Sequence, residues 1–165
     1  MKSIRFSTFI VSFFLVGSLF GQKTLPAIDV KTLDGKTLNI QEVGKKGKIT
    51  IVSFWATWCS PCKKELDAIS EVYEEWQKDY AVELVAVTID DARALAKVKP
   101  MVEQKGWKFT ILSDVNQDLQ RALNIPSVPQ SFLLDQKGNI VYSHSGYVAG
   151  DEDELEQKIK ELVKK

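Results

Sequence analysis

The chain contains two cysteines, which lie close together in the segment Trp58-Cys59-Ser60-Pro61-Cys62. Two intervening residues place the sulfur atoms one helical turn apart, within reach of a disulfide. A C-x-x-C pair among alternating strands and helices is typical of thiol–disulfide exchange. The alternatives are a static crosslink or two buried thiols without a role, but a crosslink across so small a loop gains less chain entropy than one across a long loop. We therefore interpret the pair as a redox centre.

The elements on either side of the cysteines assign their roles. Residues 49–55 form an apolar run rich in β-branched and aromatic side chains, which suits a buried strand. From Cys62 to Trp76, apolar residues recur at three- and four-residue intervals, which predicts an amphipathic helix. Free N–H groups and the helix dipole stabilise a thiolate at its N-terminus, and Pro61 fits the first turn. We therefore predict that Cys59 is the nucleophile and Cys62 the resolving thiol.

Metal binding is the main alternative for paired cysteines. A zinc site needs four ligands, usually from two such pairs or from a pair plus histidines, and this chain has one pair and one histidine. A Cu(I) site built from Cys59, Cys62 and His144 stays open, because soft thiolates suit Cu(I). His144 lies far along the chain in a strand-like segment, and we assign it no role beyond a solvated or hydrogen-bonded imidazole. The redox interpretation itself requires no metal and no cofactor.

Composition limits the domain count and the classes of partner. The 165 residues are enough for one domain with a substantial core and too few for two comfortable ones. The 22 lysines and arginines equal the 22 aspartates and glutamates in number. The chain therefore has no basic field of the kind that nucleic acid attracts, and we expect no nucleic-acid partner.

Residues 1–21 have the pattern of a secretory signal. A short basic start at Lys2 and Arg5 precedes an apolar run over residues 6–16 and a stretch of mostly small residues that ends at Gly21. Cleavage there would leave residues 22–165 as a single domain. An uncleaved anchor is the alternative, although the apolar run is shorter than the roughly 20 apolar residues that a membrane-spanning helix needs. We expect a periplasmic protein without membrane insertion after cleavage, in a compartment where disulfides persist.

The remaining chain alternates between strand and helix patterns. A hairpin is predicted across Asp34-Gly35, between residues 27–33 and 36–40. Pro100 interrupts the helical pattern of residues 90–106, so we expect two short helices or one kinked helix there. The other predicted elements are strands at 82–89, 108–112, 131–135 and 140–144 and helices at 115–123 and 151–163. This order predicts an α/β fold with a mixed sheet covered on both faces.

Two segments resemble a known family. Residues 54–65, FWATWCSPCKKE, together with residues 128–135, VPQSFLLD, and Gly138, resemble the thioredoxin-like proteins of the TlpA/ResA type. The resemblance covers nearly the whole mature chain, including the N-terminal hairpin that this group adds to the thioredoxin core. It implies a three-layer thioredoxin-like fold and an oxidoreductase of protein disulfides. It further implies that the protein acts as a reductant, for example in cytochrome c maturation or envelope thiol homeostasis. A membrane thiol protein would then supply its electrons.

The resemblance also implies roles for individual residues. Pro129 matches a cis-proline that faces the disulfide, which would leave the backbone of Val128 free to pair with an extended substrate segment. Glu65 matches an acidic residue that influences thiol protonation, although a solvated glutamate on the helix surface stays an open alternative. Ser53 stands where thioredoxin has a buried aspartate, and a hydroxyl is no base near neutral pH. The acceptor of the Cys62 proton is then Glu65 or water.

Aromatic residues flank the cysteine pair. Trp55 lies inside the predicted strand, where packing in the core and packing against the disulfide both stay open. We predict that the surface that binds substrates consists of Trp58, Pro61, Val128 and Pro129.

A peroxide-reducing enzyme of related fold would have a threonine three residues before its reactive cysteine, but Ala56 stands there.

Overall fold

The computed structural model describes residues 23–164, so the predicted signal, residues 1–21, lies outside the described residues. Seven strands form one sheet in the order β2-β1-β5-β4-β3-β6-β7. Their bounds are Asp29–Thr32 (β1), Thr37–Asn39 (β2), Thr50–Trp55 (β3), Glu83–Thr88 (β4), Thr110–Ser113 (β5), Gln130–Leu134 (β6) and Ile140–Ser145 (β7).

Within residues 23–164, five helices and one 3₁₀ turn accompany the strands. They are Ile40–Gly44 (α1), Ser60–Tyr80 (α2), the 3₁₀ turn Leu95–Lys97, Val98–Lys105 (α3), Asp118–Ala122 (α4) and Asp151–Val163 (α5). Within residues 23–164, no helix combines the length and the apolar character needed to cross a membrane.

The sheet is mixed, as the sequence predicts. Strands β3, β4 and β5 run parallel in the centre, and hairpins β1–β2 and β6–β7 add antiparallel strands on either side. All six residues of β3 are buried, although their side chains alternate between the two faces of the sheet. Both faces of the sheet are therefore covered at β3, the strand that leads into the cysteine pair.

The structure differs from the sequence prediction after the first hairpin. Residues 40–44 form helix α1 instead of the end of a strand and a loop. The side chain of Asn39 caps this helix by accepting a hydrogen bond from the Gln41 N–H at 3.1 Å, and Ile40 and Val43 are buried. Around Pro100 the helical segment divides as predicted, because this residue lies in the first turn of α3.

Candidate active site

Cys59 and Cys62 form a disulfide at the N-terminus of α2, with their Cα atoms 5.4 Å apart. Cys59 is the N-cap residue of this helix, and its Sγ accepts a hydrogen bond from the Cys62 N–H at 3.2 Å. The side chain of Cys62 is fully buried, whereas Cys59 retains 4% of its accessible surface. Of the two cysteines, the one that keeps some accessible surface is therefore the one at which the helix N-terminus would stabilise a thiolate.

A buried carboxylate holds the loop that precedes the cysteine pair. Asp90 follows β4 and accepts hydrogen bonds from the Thr57 N–H and Thr57 Oγ1, both at 2.8 Å, and from Thr88 Oγ1 at 2.6 Å. Lys63 of α2 donates to the Thr57 carbonyl at 2.9 Å. The loop between β3 and α2 is thereby attached both to the end of β4 and to the first turn of α2. No local sequence pattern indicates this role of Asp90, because its partner Thr57 lies 33 residues away in the chain.

The segment before β6 lies beside the disulfide. The Val128–Pro129 peptide bond is cis, and the Val128 carbonyl oxygen lies 3.7 Å from Cys59 Sγ. The Pro129 carbonyl accepts a hydrogen bond from the Gly146 N–H at 2.9 Å. The fold thus brings a segment some 70 residues away in sequence into contact with the sulfur of Cys59.

The two tryptophans near the cysteines differ in environment. The side chain of Trp58 is 67% exposed next to Cys59. Trp55 is fully buried and meets the ring of Trp107 edge to face, with the ring centroids 5.1 Å apart. Trp55 is therefore a core residue, whereas Trp58 presents a large apolar surface to solvent beside the redox centre.

Glu65 is buried one helical turn beyond Cys62, with 5% of its surface accessible. The Ser131 hydroxyl donates to one carboxyl oxygen at 2.6 Å, and the Ser53 hydroxyl donates to the other at 3.2 Å. Ser53 and Ser131 face each other in the antiparallel pairing of β3 with β6. Burial raises the pKa of Glu65 to about 7, and the two hydroxyl donors offset part of that increase. The alternative of a solvated surface glutamate is therefore wrong.

Comparisons with known proteins agree with this geometry. The model of the AhpC/TSA family matches residues 22–143. The chain belongs to the AhpC/TSA family. ResA, a thiol-disulfide oxidoreductase of Bacillus thuringiensis (strain Al Hakam), is 32% identical over 141 residues, which cover 86% of this chain and 78% of ResA. Thioredoxin-like protein YneN of Bacillus subtilis is 36% identical over 145 residues, with 87% and 81% covered.

A solved structure supports the same assignment. The solution structure of a thioredoxin-like protein from Porphyromonas gingivalis has a TM-score of 0.77 and 46% identity, covering 85% of this chain and 92% of that protein. Fold, relatives and the paired cysteines together identify this AhpC/TSA-family member as a TlpA/ResA-like thiol-disulfide oxidoreductase. The predicted thioredoxin-like fold, with its added hairpin β1–β2, is confirmed.

The structure does not place His144 where a copper site shared with the two cysteines would require it. Its Nε2 atom lies 2.9 Å from a carboxylate oxygen of Asp151. Among residues 23–164, no three histidine, cysteine, aspartate or glutamate side chains come together in a group that could hold a metal ion. The fold therefore does not assemble His144 with Cys59 and Cys62 as one ligand set.

Proposed function

We propose that this oxidoreductase is exported and reduces disulfides in partner proteins. The observation that carries the proposal is the position of Cys59 Sγ at the N-terminus of a long helix, where it accepts the Cys62 N–H. The signal-like pattern of residues 1–21 supports export, and the resemblance to ResA-type proteins supports the reductive direction. In an oxidising compartment, a protein with these cysteines either makes disulfides or is supplied with electrons to reduce them.

The first chemical step is nucleophilic attack. In the reduced enzyme the Cys59 thiolate attacks one sulfur of a partner disulfide, and the other partner sulfur leaves as a thiolate. A mixed disulfide then joins Cys59 to the partner. The accessible surface that Cys59 retains, compared with none for Cys62, supports this order of events.

The second step releases the partner. Cys62 loses its proton and attacks Cys59 Sγ, the Cys59–partner bond breaks, and the partner sulfur leaves as a thiolate that takes up a proton. Two electrons have then passed to the partner, and the enzyme holds the Cys59–Cys62 disulfide. We assign the acceptor role for the Cys62 proton to Glu65, because a buried carboxylate whose pKa is raised to about 7 suits proton transfer near neutral pH.

Substrate binding is assigned to the surface around Cys59. The exposed ring of Trp58 and the exposed Pro61 provide apolar contact area on one side of the sulfur. On the other side, Val128 and Pro129 provide backbone beside which an extended substrate segment can pair. These four residues correspond to the substrate surface that the sequence predicts.

Turnover requires a source of electrons. After each reduction the enzyme holds a disulfide, and a second thiol protein must reduce it by the same exchange reaction. We propose a membrane protein that delivers thiol electrons to the periplasmic side. The substrates that fit this chemistry are oxidised cysteine pairs of exported proteins, such as apocytochromes c or oxidised envelope proteins.

A trapping experiment tests the mechanism. The variant Cys62→Ser, expressed with its own leader, should accumulate mixed disulfides between Cys59 and its substrates, which mass spectrometry can identify. The double variant Cys59→Ser/Cys62→Ser is the matched control and should trap none. The wild-type protein should also turn over in a thiol-coupled insulin-reduction assay. Failure of the single variant to trap any partner, together with no insulin turnover, would contradict the proposed function.

A further inference from the structure

A cavity of about 290 Å³ lies beside the added hairpin β1–β2. Its walls are formed by the end of β1 with the hairpin turn, by the segment 92–99 that follows β4, and by the end of β5. Because β5 runs parallel to β3 and β4, the cavity lies at the carboxyl edge of the sheet, where ligands bind in many α/β proteins. Neither cysteine lines it, so it is separate from the surface around the disulfide.

Much of the cavity lining is apolar. Leu33 of the hairpin and Leu95 of the 3₁₀ turn are half-buried and pack against the core, and Val115 is half-buried after β5. Small-molecule sites typically combine such apolar walls with a few polar groups. A water molecule takes up about 30 Å³ in the liquid, so the space corresponds to an organic molecule of about ten non-hydrogen atoms. The cavity is therefore large enough for a small ligand with an apolar body.

A buried hydroxyl among the lining residues has no hydrogen-bond partner. Ser113, the last residue of β5, is 3% exposed, and its Oγ forms no hydrogen bond within residues 23–164. The neighbouring carboxylate of Asp114 instead accepts the N–H groups of Leu119 and Gln120, at 3.2 and 2.8 Å. Unpaired buried polar groups are rare in folded proteins, because they lose their hydrogen bonds to water without replacement. A ligand atom that accepts a hydrogen bond from Ser113 would satisfy this group.

The charged side chains at the cavity are positive. Lys31 and Lys99 are exposed, and no acidic residue is among the described residues that line it. Neither ammonium group has an ion-pair partner in the part of the chain that the structure describes. Lys31 and Ser113 face each other in the antiparallel pairing of β1 with β5, so their side chains lie side by side on one face of the sheet. An unpaired cation next to an unpaired hydroxyl suits a carboxylate, which accepts hydrogen bonds from both.

We propose that this cavity binds a small amphipathic carboxylate. The carboxylate accepts hydrogen bonds from Ser113 and Lys31, and Lys99 adds a second positive charge. The aliphatic or aromatic body of the ligand lies against Leu33 and Leu95, where it is removed from water. Binding at this site uses no atom of the disulfide, so the inference stands independently of the proposed function.

Titration of the oxidised protein with octanoate tests the proposal. Octanoate combines a carboxylate with an apolar chain of the size that the cavity admits. In ¹H–¹⁵N NMR spectra, the amide signals of residues 31–35, 92–99 and 113–115 should shift and saturate, whereas those of residues 58–62 should stay in place. Octanamide has the same chain and an acceptor oxygen without the charge, and it should bind at least about fivefold more weakly. The absence of a saturable shift around the cavity, or equal affinity for the two compounds, would overturn the proposal.

Substitutions identify the groups that hold the carboxylate. Lys31→Gln removes the cation that faces Ser113 and should raise the Kd for octanoate about fivefold. The matched control is Lys97→Gln, which removes an exposed lysine of the 3₁₀ turn that does not line the cavity, and it should leave the Kd unchanged. Ser113→Ala removes the hydroxyl donor and should raise the Kd about threefold. Equal Kd values for the wild type, Lys31→Gln and Ser113→Ala would show that octanoate is held elsewhere and would overturn the assignment.

The stability of Ser113→Ala distinguishes a ligand contact from a structural one. Because the hydroxyl has no partner in the protein, its removal should leave the free energy of unfolding unchanged or higher when octanoate is absent. Urea unfolding of the wild type and the variant measures this. A marked loss of stability in Ser113→Ala would show that the fold itself uses the hydroxyl, and the assignment of Ser113 to a ligand would fail.

Discussion

Glu65 is a carboxyl group that the fold removes from water without giving it a cationic hydrogen-bond partner. Its oxygens accept hydrogen bonds from Ser53 and Ser131, and its pKa rises from an ordinary 4.5 to about 7. Between these two values the unfolded chain has released the proton and the folded protein still binds it. The folded state therefore binds more protons in this window, and the free energy of unfolding falls as the pH rises through it.

We accordingly predict that Glu65→Gln removes a pH dependence of stability. In the oxidised wild type, the contribution of Glu65 should fall by about 3 kcal/mol between pH 4.5 and 7, because each unit of pKa shift corresponds to about 1.4 kcal/mol. The variant should lack this decline, as measured by urea unfolding at several pH values. Glu71→Gln, on the exposed side of the same helix, is the control and should retain it. Parallel curves for wild type and Glu65→Gln would contradict the assignment.

Trp58 is predicted to contribute to substrate binding and not to the chemistry of the sulfur. Its ring is 67% exposed, so Trp58→Ala removes contact area without opening the core. We expect kcat/KM for a protein substrate to fall about fivefold, a typical loss for an interface aromatic, while reduction of a small disulfide stays unchanged. Val163→Ala, a truncation of an exposed apolar side chain at the end of α5, should affect neither rate. An equal loss with both substrates would instead assign Trp58 to the chemistry.

At the scale of elements, the connection between β3 and α2 depends on Asp90, which lies just after β4. Asp90 satisfies three donors, two of them from Thr57, in a site that excludes water. Asp90→Ala leaves these donors unpaired and should lower the free energy of unfolding by about 2–4 kcal/mol. Asp90→Asn keeps one acceptor oxygen and should cost less, and Asp79→Ala, at the exposed end of α2, should change stability by under about 0.5 kcal/mol. Urea unfolding of the three variants measures this, and an equal effect of all three would refute it.

The elements also show what the sequence could predict. Strand β3 and helix α2 follow from local periodicity, since apolar side chains cluster at a spacing that one strand or one helix sets. Glu65 lies three residues after Cys62 and four before Ile69, so the same periodicity places it on the buried face of α2. The partners of Glu65 could not be predicted, because Ser53 and Ser131 meet only through the antiparallel pairing of β3 with β6. Helix α1 was missed because its five residues depend on a cap by Asn39 more than on periodicity.

At the scale of the whole molecule, the direction of electron flow is coupled to folding stability. Oxidation and unfolding form a thermodynamic cycle. If the oxidised form has a higher free energy of unfolding than the reduced form, folding favours the disulfide, and the folded protein is a better reductant than the unfolded chain. If the enzyme works as a reductant, its oxidised form should therefore unfold at a higher denaturant concentration than its reduced form. A difference of about 1.4 kcal/mol between the free energies of unfolding of the two forms corresponds to about 30 mV in the reduction potential of this two-electron couple.

We predict that the oxidised form is more stable by at least about 1.4 kcal/mol, which places the folded disulfide at a potential about 30 mV more reducing than that of the unfolded chain. The measurement is guanidinium unfolding of residues 22–165 with and without dithiothreitol. Cys59→Ser/Cys62→Ser is the control and should give the same curve in both conditions, since it has no disulfide to reduce. A reduced form that is more stable than the oxidised one would show that the fold favours the dithiol. The protein would then be suited to oxidising its partners, and the reductive direction would have to be abandoned while the exchange chemistry of Cys59 and Cys62 remained.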